Sequence, residues 1–261
     1  MPTVQTLITT MKLESAPALL DAMNLRGHRA IIGNQCAENR VERFEEALVV
    51  STDLRGVGQN RNNIIERADA DICVLADDDM RFCDDYEEIV ARVFDENPDA
   101  DVVIFNFIVE SEGRRVVQKK HRVTTKNYMN YGAARFAFRR KSVLYHAISF
   151  NTMFGGGTPH QCGEDSLFLR ACLRAGLRVI VVPEALATLT EARESTWFEG
   201  YTDKYFHDKG VFLGIAHPRL AKPMALLLIA KHKEYREGRS FHECYKRVKA
   251  GIAYARARFR G

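Results

Sequence analysis

The sequence predicts an α/β fold: a mixed, mostly parallel sheet flanked by helices, followed by a C-terminal helical tail. Three observations lead there. Apolar runs of strand length alternate with helix-like stretches through the first two-thirds of the chain, the pattern of β-α units. Several of these runs stop abruptly at polar or acidic residues, as strands do where they leave a sheet. With 46% hydrophobic and 28% charged residues, the 261-residue chain has the composition of an ordinary globular core.

Val4 to Thr10 reads as the first strand, with a short helix around Ala16 to Met23 after it. Ala30-Ile31-Ile32-Gly33 is the second strand, tipped by Asn34-Gln35, and Ala47 to Ser51 is the third. The turn Arg55-Gly56-Val57-Gly58 leads into a helix from about Asn60 to Ala68. Ile72-Cys73-Val74-Leu75-Ala76 is a buried strand, followed by a helix with Asp84 as N-cap and an acidic first turn. Asp101 to Ile108 is the next strand, and residues 109–150 read as a meander that includes Ala134 to Arg139. Phe154-Gly155-Gly156-Gly157-Thr158-Pro159 reads as a flexible loop. Gly163-Glu164-Asp165-Ser166 opens a helix running to about Ala175, and Leu177 to Val182 is a strand closed by Pro183.

The expected organisation is a body over residues 1–217 and a tail over 218–261. From Arg219 onward there are 12 Lys/Arg against 3 Asp/Glu, leaving 26 against 31 in the body. In the second helix of the tail, Phe241, Tyr245, Val248, Ile252, Ala255 and Phe259 recur at helical spacing among Lys and Arg. Such a basic amphipathic helix either packs on the body or docks on a membrane surface. No nucleic-acid module accompanies it. No apolar run approaches the roughly 20 residues of a membrane span. The N-terminus shows no export signal, and the six cysteines form no zinc-like or CxxC spacing. The expected setting is the cytoplasm, with peripheral contact at the inner membrane face.

Asp77-Asp78-Asp79 directly follows the buried strand. Three carboxylates there repel one another, and a divalent cation shared with a phosphate relieves that repulsion. Helix capping on a solvated surface accounts for Asp84 to Glu88, but not for acids packed against a strand end. In an open α/β sheet, ligands bind beyond the carboxyl ends of the strands. Thr9, Thr10, Asn34, Gln35 and the aspartates therefore belong to one crevice, which Arg61 could also reach.

The stretch from Gly56 through Arg61-Asn62 and Ala68 to Asp77-Asp78-Asp79 resembles the nucleotide-binding half of family 2 glycosyltransferases. Gly163-Glu164-Asp165-Ser166-Leu167 resembles that family's Glu-Asp helix, and the likeness covers roughly residues 4–190. The resemblance implies a GT-A (Rossmann-like) fold and inverting transfer, as in bacterial surface-polysaccharide enzymes. It makes Asp77 and Asp79 the DxD acids, with Asp79 on Mn²⁺ or Mg²⁺ and Asp78 the middle position. Arg61 would hold the nucleotide, and Thr9, Thr10, Asn34 and Gln35 would contact the uridine. Asp165 would be the general base and Glu164 would orient the acceptor.

Two departures stand out. Asn34-Gln35 replaces the family's usual Asp pair, and Ala187-Thr188-Leu189 lies where many relatives carry a metal-binding His. His207 is the replacement candidate, against the alternative that it is simply packed. Trp197 and Gly156 are candidates for the acceptor site or a lid, against a plain hydrophobic seam. The expected partners are a UDP-sugar and a glycan or lipid-linked acceptor. Two other functions compete: a sugar-nucleotide nucleotidyltransferase, though the phosphate loop such enzymes carry after the first strand is lacking, and a non-catalytic binder of nucleotide or glycan.

Overall fold

The computed structural model describes residues 1–108, 117–189 and 200–259. The chain forms two compact units. One comprises Met1–Met153 with Glu164–Glu194, the other Phe154–Gly163 with Ser195–Gly261. The boundary expected at 217–218 falls inside the second unit.

The first unit is built on a ten-stranded sheet among the described residues. Its parallel heart is β4 (Ala47–Thr52), β2 (Ala30–Gln35), β1 (Val4–Met11) and β5 (Ile72–Asp77), in that spatial order. The register sets Thr9 beside both Gly33 and Asp77, and Thr10 beside Asn34, so the polar tips are level. Beyond β5 the sheet continues through β9 (Phe136–Arg139), antiparallel to both neighbours, to β7 (Val102–Ile108) and β10 (Val179–Leu189). Short antiparallel strands complete it: β3 (Arg40–Arg43) on β4, and both β6 (Met80–Phe82) and β8 (His121–Arg122) on β10.

Alternate residues of each strand feed opposite faces. Ile8, Ile32, Val49 and Val74 pack with Leu20 of α1 (Ala16–Ala22) and with Val90 and Phe94 of α3 (Tyr86–Glu96). Leu7, Ile31, Val50 and Leu75 pack on the other side with Ile64 of α2 (Val57–Ile65) and Phe168 of α5 (Glu164–Arg174). A short helix, α4 (Arg140–Tyr145), follows β9.

Three expectations are corrected. Pro183 does not end the last strand. It lies inside β10, where the pairing with β7 shifts register between Val181 and Ala185. A proline is tolerated at such a bulge because no ladder N–H is required there. Asp84 does not cap α3. Asp85 holds the cap position, and Asp84 accepts from Asn24 Nδ2 at 2.8 Å. Residues 154–160 are no open loop: Phe154 bridges His160, and Thr158 Oγ1 donates to the carbonyls of Gly155 and His160 at 2.8 and 2.9 Å.

The second unit carries α6 (Asp203–Ala216), α7 (Ala221–Lys231) and α8 (Phe241–Arg258). Ser240 and Glu243 form a reciprocal capping box at the start of α8. Val248, Ile252 and Ala255 of α8 are buried, with Cys244 beside them, so half of the apolar stripe seen in the sequence is buried within the unit. The helices α6 and α8 meet at glycines. A Cβ on Gly210 would stand 2.0 Å from the Val248 carbonyl oxygen, and one on Gly251 equally close to that of His207. Among the described residues no helix is long and apolar enough to cross a membrane.

Backbone-to-backbone contact leaves no room for even a methyl group. Gly251→Ala should therefore lower stability by about 1–3 kcal/mol, the usual cost of overpacking. Urea unfolding will read this as a lower midpoint.

Candidate active site

Arg61 anchors the site. It rises from α2 with only 5% of its side chain exposed. Its Nη2 lies 3.0 Å from Asp77 Oδ1, and its Nη1 lies 3.0 Å from Asp165 Oδ1 and 3.6 Å from Glu164 Oε1. The guanidinium carbon sits 5.2 Å from the centre of the Phe150 ring, a cation–π distance.

Its neighbours in sequence fix it there. Asn60, fully buried, donates from Nδ2 to the Gly33 carbonyl at 2.8 Å. Any side chain at Gly33 would strike Asn60, since a Cβ would stand 2.3 Å from Oδ1. Asn62 pairs with the backbone of Phe150, donating at 2.9 Å and accepting at 2.7 Å. Phe150 stacks on Phe168 of α5 at 4.3 Å between ring centres. Thus Asn60-Arg61-Asn62 ties β2, the carboxylates and α5 together.

The structure brings Asp77, Glu164 and Asp165 to one cation, and sets the strand tips beside them. Thr9 Oγ1 donates to Asp77 Oδ1 at 2.9 Å, and Thr10 Oγ1 to Asp78 Oδ2 at 2.6 Å. Asp78 and Asp79 form the two-residue turn between β5 and β6. Asn34 accepts from the Leu13 amide at 2.9 Å and donates to Ser51 Oγ at 3.1 Å. Gln35 Nε2 donates to the Gly56 carbonyl at 2.8 Å. These four strand-tip side chains, expected at the uridine, are buried and hydrogen-bonded within the protein. Buried amides and hydroxyls require such partners.

The acids at the start of α5 differ electrostatically. Burial, reinforced by the charge of Asp165, pushes Glu164 up to about 8 despite Arg61. Burial also raises Asp165, against the attraction of Arg61 and a hydrogen bond from the Ala133 amide. The start of α5 favours an ionised Asp165 through the helix dipole, but desolvation prevails. Glu164 and Asp165 share a side-chain hydrogen bond. Both acids are therefore raised, and the pair holds a proton more tightly than isolated carboxyls would.

Two other candidates, Gly156 and His207, lie in the second unit. Gly156 is part of the turn closed by Phe154 and His160. His207 stands on α6 with Nδ1 3.5 Å from Asp208 Oδ1 and its ring edge-on to Tyr254. Trp197 lies outside the described residues. Among the described residues, no three His, Cys, Asp or Glu side chains are grouped so as to hold a metal by themselves.

Sequence reasoning missed the Ala133 amide on Asp165 and a buried network in the second unit. There His160 Nδ1 lies 2.8 Å from Asp208 Oδ1, and Asp208 also accepts from Lys204 and the Gln161 amide. Although burial opposes it, this set of donors holds Asp208 at about 2. The i, i+4 pair Lys204–Asp208 was readable on α6. The partner 48 residues away was not.

A family model described as glycosyl transferase family 2 matches residues 35–170. Among solved structures, the chain is similar to S. aureus TarS 1–349 in complex with UDP-GlcNAc. Identity is 14%, over 98% of this chain and 87% of that one, with a TM-score of 0.64. The same TarS fragment in complex with UDP gives a TM-score of 0.61 at 14% identity and the same coverage. The mannosyltransferase PcManGT from Pyrobaculum calidifontis, in complex with GDP-Man and Mn²⁺, gives 0.54 at 13% identity, over 98% and 76% of the chains. At these identities the likeness is one of fold, and the fold is GT-A. No curated protein sequence matches.

The carboxyl cluster makes stability depend on pH. Glu164 keeps its proton in the folded state up to about 8, but ordinarily loses it near 4.5. The folded state therefore binds more protons between these values, and stability falls as pH rises through them. Glu164→Gln should flatten that fall in denaturant titrations between pH 5 and 8. Arg61→Met, which strands buried acids, should cost about 3–5 kcal/mol, and more at pH 8 than at pH 5.

Proposed function

The chain belongs to glycosyl transferase family 2, and we propose that it is an inverting enzyme moving a sugar from a UDP-sugar, with a divalent ion, to a hydroxyl of a glycan or lipid-linked acceptor. The observation that carries this reading is the joining of Asp77 and Asp165 through one guanidinium. It sets an acidic turn at the end of β5 within a single charge cluster with a candidate base.

In this reading Asp165 takes the proton of the acceptor hydroxyl. The hydroxyl oxygen bonds to the anomeric carbon as the bond from that carbon to the diphosphate breaks, and UDP leaves. A base works best with a proton affinity matched to its task. Desolvation raises that of Asp165, against the attraction of Arg61. Arg61 orients Asp165, and Thr9 and Thr10 orient the acidic turn.

Asp77 and Asp79 would hold the ion. Carboxylate oxygens suit Mn²⁺ or Mg²⁺, which commonly take one or two carboxylates and complete their shell with substrate phosphates and water. Two protein ligands are thus sufficient, and the reading does not draw on His207. When bound, such an ion neutralises charge on the departing diphosphate. The TarS complexes with UDP-GlcNAc and UDP support a uridine donor, and the GDP-Man and Mn²⁺ complex of PcManGT supports the divalent ion.

We infer a role in surface-polysaccharide synthesis at the inner membrane face, with α7 as the contact. This helix exposes Leu226 and Leu227, the latter by 67%, beside Lys222 and Lys231. Exposed leucines rimmed by lysine suit an anionic lipid surface. The buried stripe of α8 is less available for that purpose.

Asp165→Asn should lower sugar transfer from UDP-sugars by about 10²–10⁴-fold, the range typical of a lost general base. Calorimetry should show UDP binding retained. Undiminished transfer by the variant would remove Asp165 as the base. Chelation of divalent ions should abolish transfer, with activity restored by Mn²⁺ or Mg²⁺. Replacing Leu226 and Leu227 by Ser should reduce co-sedimentation with phosphatidylglycerol vesicles severalfold; equal sedimentation would rule out α7.

A further inference from the structure

The helices α7 and α8 of the second unit line a groove of about 350 Å³ with Lys222, Lys249, Ile252, Ala253, Arg256 and Ala257. Helical spacing accounts for this lining. On α8, Lys249, Ala253, Arg256 and Ala257 share one face, with Ile252 buried beside them. Lys222 comes from α7, and Leu226, one turn further along the same face, is 41% exposed. The groove therefore carries cations from both helices, small apolar side chains between them, and an exposed leucine near its edge.

Its charge is not balanced from within. The helix α7 contains no Asp or Glu, and α8 contains none beyond Glu243. Lys222 and Lys249 are exposed, and among the described residues neither makes an ion pair or a side-chain hydrogen bond. Arg256 donates from Nη2 to the Pro218 carbonyl at 2.9 Å. That bond holds the guanidinium in place but leaves its charge and its other N–H groups uncommitted. Arg247, on another face of α8, differs: it is paired with Asp203 at 2.7 Å. Like charges around one groove repel, and an anion seated among them relieves the repulsion.

We propose that this groove binds the phosphate headgroup of an anionic phospholipid, with the upper part of the lipid chains against Leu226. The proposal rests on the membrane contact of α7 for its setting and goes beyond it. There the leucines supply an apolar anchor; here the groove selects among headgroups. A soluble polyanion would engage the cations but leave Leu226 and Leu227 in water, whereas a lipid engages both. A zwitterionic headgroup would bring its own cation against three others. Ala253 and Ala257 matter because their short side chains leave room for a phosphate between Lys249 and Arg256.

The test is calorimetric titration of the full chain with dihexanoyl phosphatidylglycerol, dihexanoyl phosphatidylcholine and inorganic phosphate, each lipid kept below its micelle-forming concentration. Phosphatidylglycerol should bind one to one, and more tightly than either of the others. The double variant Lys222→Gln, Lys249→Gln should weaken it about tenfold or more, without a shift in thermal midpoint, since both residues are exposed. Ala253→Phe, which fills the groove at constant charge, should weaken it comparably, whereas a general attraction to the basic tail would be unaffected. Equal binding of the two lipids, phosphate binding as tight as that of phosphatidylglycerol, or unchanged binding by either variant would overturn the proposal. Vesicle sedimentation judges the membrane contact separately. Sedimentation without binding of the short-chain lipid would leave α7 standing and remove the groove; the opposite result would keep the groove and remove the membrane contact.

Discussion

A buried guanidinium is the constraint on which the site depends. Removing a charge from water costs several kcal/mol, and the cost is offset only by close partners of opposite sign. Arg61 has three, contributed by the end of β5 and the start of α5. Burial and like charge raise both acids of α5 against the attraction of that one guanidinium.

Holding that cluster requires a stiff frame, and neutral polar side chains build much of it. Asn60 docks α2 on the backbone of β2, and the missing side chain of Gly33 makes the approach possible. Asn62 and Phe150 carry the connection to Phe168 on α5. Thr9 and Thr10 pin the acidic turn from the neighbouring strand. Each of these groups would cost stability if left unpaired. Together they set the separation between Asp77 and Asp165 without a covalent link.

Much of this was legible in the sequence because it is local. Strand tips show where an apolar run meets polar residues, and parallel strands bring their tips to one edge. That placed Thr9, Asn34 and Asp77 together correctly. The three-residue β6, the insertion of β9 against the parallel direction and the bulge at Pro183 depend on pairing between distant segments. Periodicity within a window cannot show them. The same limit hid how Arg61 is used: its position beside the carboxylates was readable, but its burial under three of them was not. The stripe on α8 was read correctly as apolar. That it meets α6 depends on Gly210 and Gly251, whose role is the lack of a side chain.

Asp165 shows why such a cluster suits proton transfer better than a simple ion pair would. An aspartate bonded to an arginine in water is a weak base, because the cation stabilises its ionised form. Burial works in the opposite direction, as does the charge of Asp77, and the balance leaves Asp165 raised. Arg61 can therefore fix the direction of the carboxylate without removing its affinity for a proton. Glu164 completes the balance, since two adjacent buried acids cannot both release a proton easily. Orientation and basicity usually trade against each other at a carboxylate. Here the conflict is eased because the cation that orients Asp165 is shared with Asp77.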